Sequence, residues 1–316
     1  MNAILKRLSM LALTLGVVAL FYAGAVRPWM MSWGTAAEER AGAMPGDEIV
    51  PDSTLVTTRA VGIGASADRV WPWLAQLGQD RGGFYSYELL EDLAGCEMPR
   101  AAEILPAAQE WRPGDQLWMY PPGKLDGVGG APLLASIPGR ALAFGTWNPT
   151  TPHTRPPDGS WAFVLEPVST DSSRLLVRSR GAAPAGLGAR LFHFAVFEPI
   201  HFVMERRMMD GIRRHAEVRP PHTRTADAAQ IVVWAALFVL FLWGIVATLR
   251  RERWHGALGA TTAAALGFML TTLGQPPVIV GLLLVAAVAG LLLWRGRGAD
   301  NEHAAGGNLL TPVAAA

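Results

Sequence analysis

The chain has 316 residues, 51% of them hydrophobic, and a formal net charge of +1. That length holds one soluble domain of ordinary size plus several membrane helices, and the small charge gives no bulk attraction to nucleic acid. A single cysteine, Cys96, excludes an intrachain disulfide and any zinc site built on several thiolates.

Residues 8–26 form an uncharged apolar run of 19 residues behind Lys6 and Arg7. This is long enough to span a bilayer, so residues 1–27 read as a transmembrane or signal anchor. The alternative is a cleaved signal peptide, since Ala23-Gly24-Ala25 resembles a small-residue cleavage site. Residues 28–54, rich in Gly, Pro and acidic side chains, read as a linker, with Trp29 and Trp33 at the membrane interface.

A first strand is predicted over 55–63, where Val and Thr are enriched. Val70, Trp73, Leu74 and Leu77 recur at i, i+3, i+4 and i+7, which predicts a helix. With Asp68 as N-cap, Pro72 falls in or just past its first turn, and Gly78 stops it. Ser86 is placed to cap a second short helix that Gly95 ends. Further strands are predicted over 116–120, 133–137, 141–147, 161–166 and 174–180, separated by turn residues at 121–132, 138–139, 148–159 and 171–173. In the last strand, Leu175 and Val177 face one way and Arg174, Leu176 and Arg178 the other. Residues 181–188 read as a flexible link into a late helix, which Pro199 either kinks or restarts. After a basic linker at 218–227, three apolar segments at 228–249, 256–273 and 277–294 read as further membrane spans. Residues 296–316 read as a flexible tail. The basic flanks Lys6/Arg7, Arg250–Arg253 and Arg295/Arg297 would lie on one side of four spans. By the positive-inside rule both termini are then cytoplasmic and the domain lies outside. The Ala, Gly, Arg and Pro bias suits a bacterium with a GC-rich genome, hence an inner-membrane location.

Three separated stretches resemble one family in the right order. They are residues 70–95 (VWPWLAQLGQDRGGFYSYELLEDLAG), 111–117 (WRPGDQL) and 204–212 (MERRMMDGI). Residues 55–217 are thus similar to the SRPBCC superfamily (START/Bet v1-like, polyketide cyclase/dehydrase type). The resemblance implies an α+β helix-grip fold, with an antiparallel sheet wrapped on a long C-terminal helix. It does not fix chemistry, because carriers, receptors and cyclases share the fold.

For a cavity between sheet and late helix, the candidate lining residues are Trp73, Gln76, Gln79, Tyr85, Tyr87, Trp118, Trp147, Trp161, His201, Met204 and Met208. Aromatic bodies and adaptable methionines suit an apolar ligand, and suit ordinary core packing equally. Asp80, Arg81 and Glu205 are candidates for a polar mouth; Asp80 and Arg81 could equally hold the Gly82-Gly83 loop. His201 and Glu205 share a helix face at i, i+4, the spacing of a metal pair or a polarised base, but no third ligand is near in sequence. No GxSxG elbow, Walker A loop, helix-opening GxGxxG or HExxH is present, so no catalytic residue, metal or cofactor is assigned. The predicted spans carry no Asp, Glu, Lys or Arg, which disfavours a pump or ion transporter. The expected partners are the lipid bilayer and a hydrophobic or amphipathic small molecule. An enzyme acting on such a substrate is the alternative, with Asp80, Glu91, Asp115, His201 and Glu205 as its acids and bases. A purely structural or partner-binding membrane protein is the third reading, supported by the small residues of 256–267, which permit close helix packing.

Overall fold

A computed structural model describes residues 3–124, 129–147 and 156–294. Parts of the expected 121–132 and 148–159 connections, the Arg295/Arg297 flank and the 296–316 tail lie outside the described residues. The chain divides into two units. One runs over residues 20–229, and the other joins the start of the first helix to residues 230 onward.

The element order begins with helix α1 (Ala3–Phe21), a π-turn (Tyr22–Val26) and α2 (Arg27–Met31), followed by α3 (Ala37–Ala41). Strand β1 (Leu55–Ile63), α4 (Ala67–Ala75) and α5 (Glu88–Leu93) come next. Then follow β2 (Gln116–Trp118), β3 (Gly130–Ile137), β4 (Ala141–Thr146), β5 (Gly159–Pro167) and β6 (Ser173–Gly181). Helix α6 (Leu187–Phe192), a second π-turn (His193–Phe197) and α7 (Glu198–Ala216) lead to α8 (Arg224–Arg250), α9 (His255–Gly274) and α10 (Val278–Leu293).

The architecture of the 20–229 unit is α+β. Its six strands make one antiparallel sheet in the order β1-β6-β5-β4-β3-β2. One face packs against α4 and α7. Phe144, Phe163 and Val177 from the sheet, Val70 and Leu74 from α4, and Met209 and Ile212 from α7 belong to one continuous buried core. Burial at this scale, about 25 cal/mol per Å² of apolar surface, is what holds the unit together.

The opposite face of the sheet is also covered, which the sequence reading did not anticipate. Residues 28–54 do not hang free as a linker. Met44 covers a row of cross-strand neighbours, Ala60, Leu176, Val164 and Ala141. Gly46, with φ at +96°, lies so close to the sheet that a Cβ there would sit 2.6 Å from that of Ala143. Charge pairing fixes the strap. Arg174 Nε donates to Glu39 Oε1 at 2.6 Å and Arg178 Nη1 to Asp47 Oδ2 at 2.7 Å. Covering both faces explains why Arg178 and Leu176 are as buried as Leu175 and Val177, despite pointing the other way. Trp33 packs against the core and its carbonyl accepts from Ala60 N–H, so it is tied into the domain.

Two local expectations change. Helix α4 starts from Ser66, not Asp68, so Pro72 lies inside the helix and removes one internal hydrogen bond. Ser86 does not cap α5. Its hydroxyl donates instead to Met204 O at 2.7 Å, linking the loop before α5 to α7.

Among the described residues, three helices are long and apolar enough to cross a membrane: Ala3–Met31, Arg224–Arg250 and His255–Gly274. The expected fourth span, α10, is a shorter apolar helix of 16 residues. Within the helical unit, α9 buries its small residues Ala257, Ala260, Thr261, Ala264 and Gly267, the close-packing face expected from 256–267.

Candidate functional site

A strand that carries a buried charge must supply its partner from elsewhere in the fold. Arg59 on β1 is such a residue, and its partner comes from α7. Arg59 Nη1 donates to Glu205 Oε1 at 2.7 Å, and both side chains are only 1% exposed. Trp161 Nε1, from β5, donates to the other carboxylate oxygen at 2.9 Å. Arg59 Nε donates to Met30 O at 2.8 Å, and the guanidinium lies over the Phe202 ring at 5.1 Å.

His201 completes the group one helical turn before Glu205. Its Nδ1 lies 3.3 Å from Arg59 Nη1, and its Nε2 lies 3.8 Å from Glu205 Oε2. A guanidinium can only donate, so Nδ1 accepts and the ring is neutral with its proton on Nε2. Burial lowers the affinity of His201 for a second proton, as do Arg59 and His193, against the opposing pull of Glu205. The ring is stacked on Phe197 and tilted against Trp161. This cluster therefore unites Trp161, His201 and Glu205 with Arg59, which sequence reasoning missed. The available signal was an arginine in an otherwise uncharged strand; its partner, 146 residues away, was not readable.

Most of the other candidates fall into three further groups. Gln76 is fully buried and internally satisfied. Its Nε2 donates to Tyr85 Oη and Glu103 O, and its Oε1 accepts from Leu105 N–H and Gln109 Nε2. Trp73 stacks on His215 at 4.3 Å, with Tyr85 against both rings. Burial raises the Tyr85 hydroxyl well above its ordinary range and lowers His215. In the loop, Arg81 lies 3.7 Å over Trp111 and donates to Ala108 O and Glu110 O. Gly78 and Gly83 exchange main-chain hydrogen bonds beside it. Asp80 is exposed at the loop tip, and Gln79 Nε2 donates to Glu97 O at 3.2 Å. Arg81 thus serves the loop, and Gln79 ties it to the segment after α5.

Tyr87 belongs to an ionic group on the other side of α7. The Arg207 guanidinium lies 4.7 Å over its ring and pairs with Asp227. Asp210 gathers Arg213, Arg214 and His222. Burial alone would raise the Asp210 carboxyl, but those three partners hold it well below the usual range. Met204 is half-buried with its carbonyl bound by Ser86, and Met208 fills the core. Trp118 and Trp147 are half-buried at the β2–β3 and β4 ends of the sheet, away from His201 in the strand order.

Between the sheet and α7 the described side chains form a continuous buried core. Hollows line Gln230, Val233, Trp234 and Thr271, and Phe238, Phe241, Phe268 and Met269, all in the helical unit. A half-buried acid with an unpaired oxygen lies outside these groups. Glu91 on α5 has its Oε2 shielded without a hydrogen-bond partner among the described residues. Burial, then repulsion from Glu88 and Asp92, pushes its carboxyl up to about 8.

No family model matches the chain. No curated protein matches it either. Among solved structures, the chain is similar to the solution NMR structure of a polyketide cyclase-like protein from Corynebacterium glutamicum, at 15% identity and a TM-score of 0.27. The match covers 54% of this chain and 94% of that one.

Proposed function

We propose that this protein is a membrane-tethered binder of a small amphipathic molecule, built on a helix-grip domain of the SRPBCC type. The apolar part of the ligand enters between the sheet and α7, and its polar end is read by Arg59, Glu205, His201 and Trp161. The observation that carries this reading is the buried Arg59–Glu205 pair with two further polar groups on it. A buried ion pair is a poor way to gain stability, because desolvation offsets much of its attraction; a recognition role gives a reason to keep it. Apolar helices before and after the domain in the sequence supply the tether. The basic flanks of those helices favour an outward-facing domain in a bacterial inner membrane. Because the core is closed, uptake requires adaptable side chains such as Met204 and Met208 to move aside.

The test is mass spectrometry of apolar compounds extracted from the full-length protein purified in mild detergent, beside its Glu205→Gln variant. The full chain is required because residues 28–54 are part of the folded domain. One dominant species, lost from the variant, is expected. A folded, empty wild-type protein refutes the reading and favours a structural or partner-binding role.

A second reading, an acid-using cyclase or dehydratase, is favoured by Glu91 alone. A carboxyl protonated at neutral pH can donate a proton to a substrate. It requires turnover of the co-purified compound to be lost in Glu91→Gln.

A further inference from the structure

We infer that residues 187–200 form a second membrane contact, an apolar helical segment that enters the acyl-chain layer beside the first helix. This rests on the reading that the Ala3–Met31 helix spans the membrane.

The segment is helical throughout, as α6, the His193–Phe197 π-turn and the first residues of α7. It leaves Leu187, Leu191, Phe192, Val196, Phe197 and Ile200 exposed, with Leu187 at 74% and Phe192 at 61%. Six large apolar side chains in one short stretch exceed what scattered surface hydrophobics explain. Fourteen residues rise only about 21 Å, too short to span, which is the length of an interfacial or re-entrant element.

What covers this face is indicated by the helix beside it. Tyr22 Oη donates to Phe194 O at 2.9 Å, and the two rings meet edge to face. Arg27 grips Glu198 with two hydrogen bonds of 2.6 and 2.8 Å, and Trp29 meets Phe202 edge to face. The partners advance together along both chains, so the two segments run parallel. Both carry a π-turn where they meet, and the Tyr22 hydroxyl supplies a donor to a carbonyl within the second one.

This pairing sets the depth. The uncharged run 8–26 rises about 28 Å, close to the thickness of the hydrocarbon core, so Arg27 marks its edge. Tyr22 lies five residues, about 7 Å, inside that edge. Phe194, bonded to Tyr22, shares its level, within the 5–10 Å reached by interfacial helices. Leu20 and Phe21 are exposed on the neighbouring helix and continue the same apolar surface. Glu198, which would be costly at this level alone, is neutralised by Arg27. Arg190 precedes Phe194 by four residues and by the same parallel run lies about 6 Å deeper; its aliphatic stem can lie along lipid while its guanidinium donates to Pro184 O.

The test uses the full-length chain in a Cys96→Ser background, in nanodiscs of phosphatidylethanolamine and phosphatidylglycerol. Nitroxides are placed singly at Leu191→Cys, Phe197→Cys, Val168→Cys and Val17→Cys, and their relaxation by oxygen and by a water-soluble nickel chelate is compared. Val168 is an exposed site at the β5–β6 turn and reports water; Val17, exposed on α1, reports the anchor itself. Oxygen-dominated relaxation at Leu191 and Phe197, like that at Val17 and several-fold above Val168, is expected. Nickel-dominated relaxation at Leu191 with a lipid-exposed Val17 overturns the inference and leaves the anchor intact. Water exposure at both sites removes the anchor and the inference together. Shielding of Leu191 from both agents, or spin–spin broadening there, means that protein covers the face and also overturns it.

Discussion

Arg59 and Glu205 are separated by 146 positions in the chain, yet their side chains meet at 2.7 Å with 1% of each exposed. Removing one partner strands the other charge in the interior. Glu205→Ala is expected to cost about 3–5 kcal/mol, because Arg59 loses its counter-charge and the Trp161 N–H loses its acceptor. The double replacement Arg59→Met/Glu205→Leu is expected to recover most of that loss, since apolar groups of similar volume owe no desolvation. Chemical denaturation of the wild type, Glu205→Ala and the double variant measures both. Equal destabilisation in the single and double variants would mean that the pair is not what matters there.

Arg178 makes five donations, four of them to the N-terminal strap and one to strand β1. They go to Thr58 Oγ1, Asp47 Oδ2 and the carbonyls of Glu39, Arg40 and Gly42. Replacing it with Leu leaves those carbonyls unpaired against the sheet. A loss of roughly 3 kcal/mol is expected, with new proteolytic cleavage confined to residues 34–52. Arg112→Ala is the control, because Arg112 and Glu110 are 77% and 80% exposed. An exposed pair of this kind contributes about 0–1 kcal/mol. Cleavage in both variants would mean that the strap is loose even with Arg178 in place.

These two arginines also show where the sequence was legible and where it was not. Strands announced themselves through alternation and Gly/Pro turns, and β1 was read to the residue. The strap was not legible, because its Gly, Pro and acidic composition is that of a solvated linker. Its signal was distributed: Arg174, Arg178 and Arg180 at alternate positions on β6, with Glu39 and Asp47 some 130 residues earlier. Of the chosen site residues, Trp161, His201 and Glu205 converge. Gln76 and Arg81 were conspicuous for a different reason, since polar side chains that hold an irregular loop look the same in sequence as polar side chains that meet a ligand.

At Gly211, α7 closely approaches the loop before α5. A Cβ there would meet Tyr85 O at 2.4 Å and Tyr85 Cβ at 2.6 Å. Tyr85 cannot retreat freely, because its φ is already +54° and its hydroxyl is tied to Gln76. In an open helix Gly→Ala would stabilise by about 0.5–1 kcal/mol. Here overpacking, typically about 1–3 kcal/mol, is expected to outweigh that gain. The melting temperature of Gly211→Ala should fall, and amide exchange in residues 76–85 should rise. A stabilised variant would show that the loop yields.

Glu91 gives the domain a signed pH dependence. Its carboxyl titrates near 8 in the folded protein, raised by burial and then by Glu88 and Asp92, against about 4.3 in an unfolded chain. Its contribution is therefore fully present below the unfolded value and is lost as pH rises through the folded one. Between those limits the unfolded chain binds fewer protons at this site, so unfolding becomes easier by up to about 1.4 kcal/mol per pH unit. Glu91→Gln keeps a neutral side chain of the same shape and removes the titration. Wild type and variant should melt together near pH 4, and the variant should be the more stable by several degrees at pH 8.5. Parallel stability curves across that window would place the Glu91 carboxyl back in the ordinary range, and with it remove the one observation that favours acid catalysis.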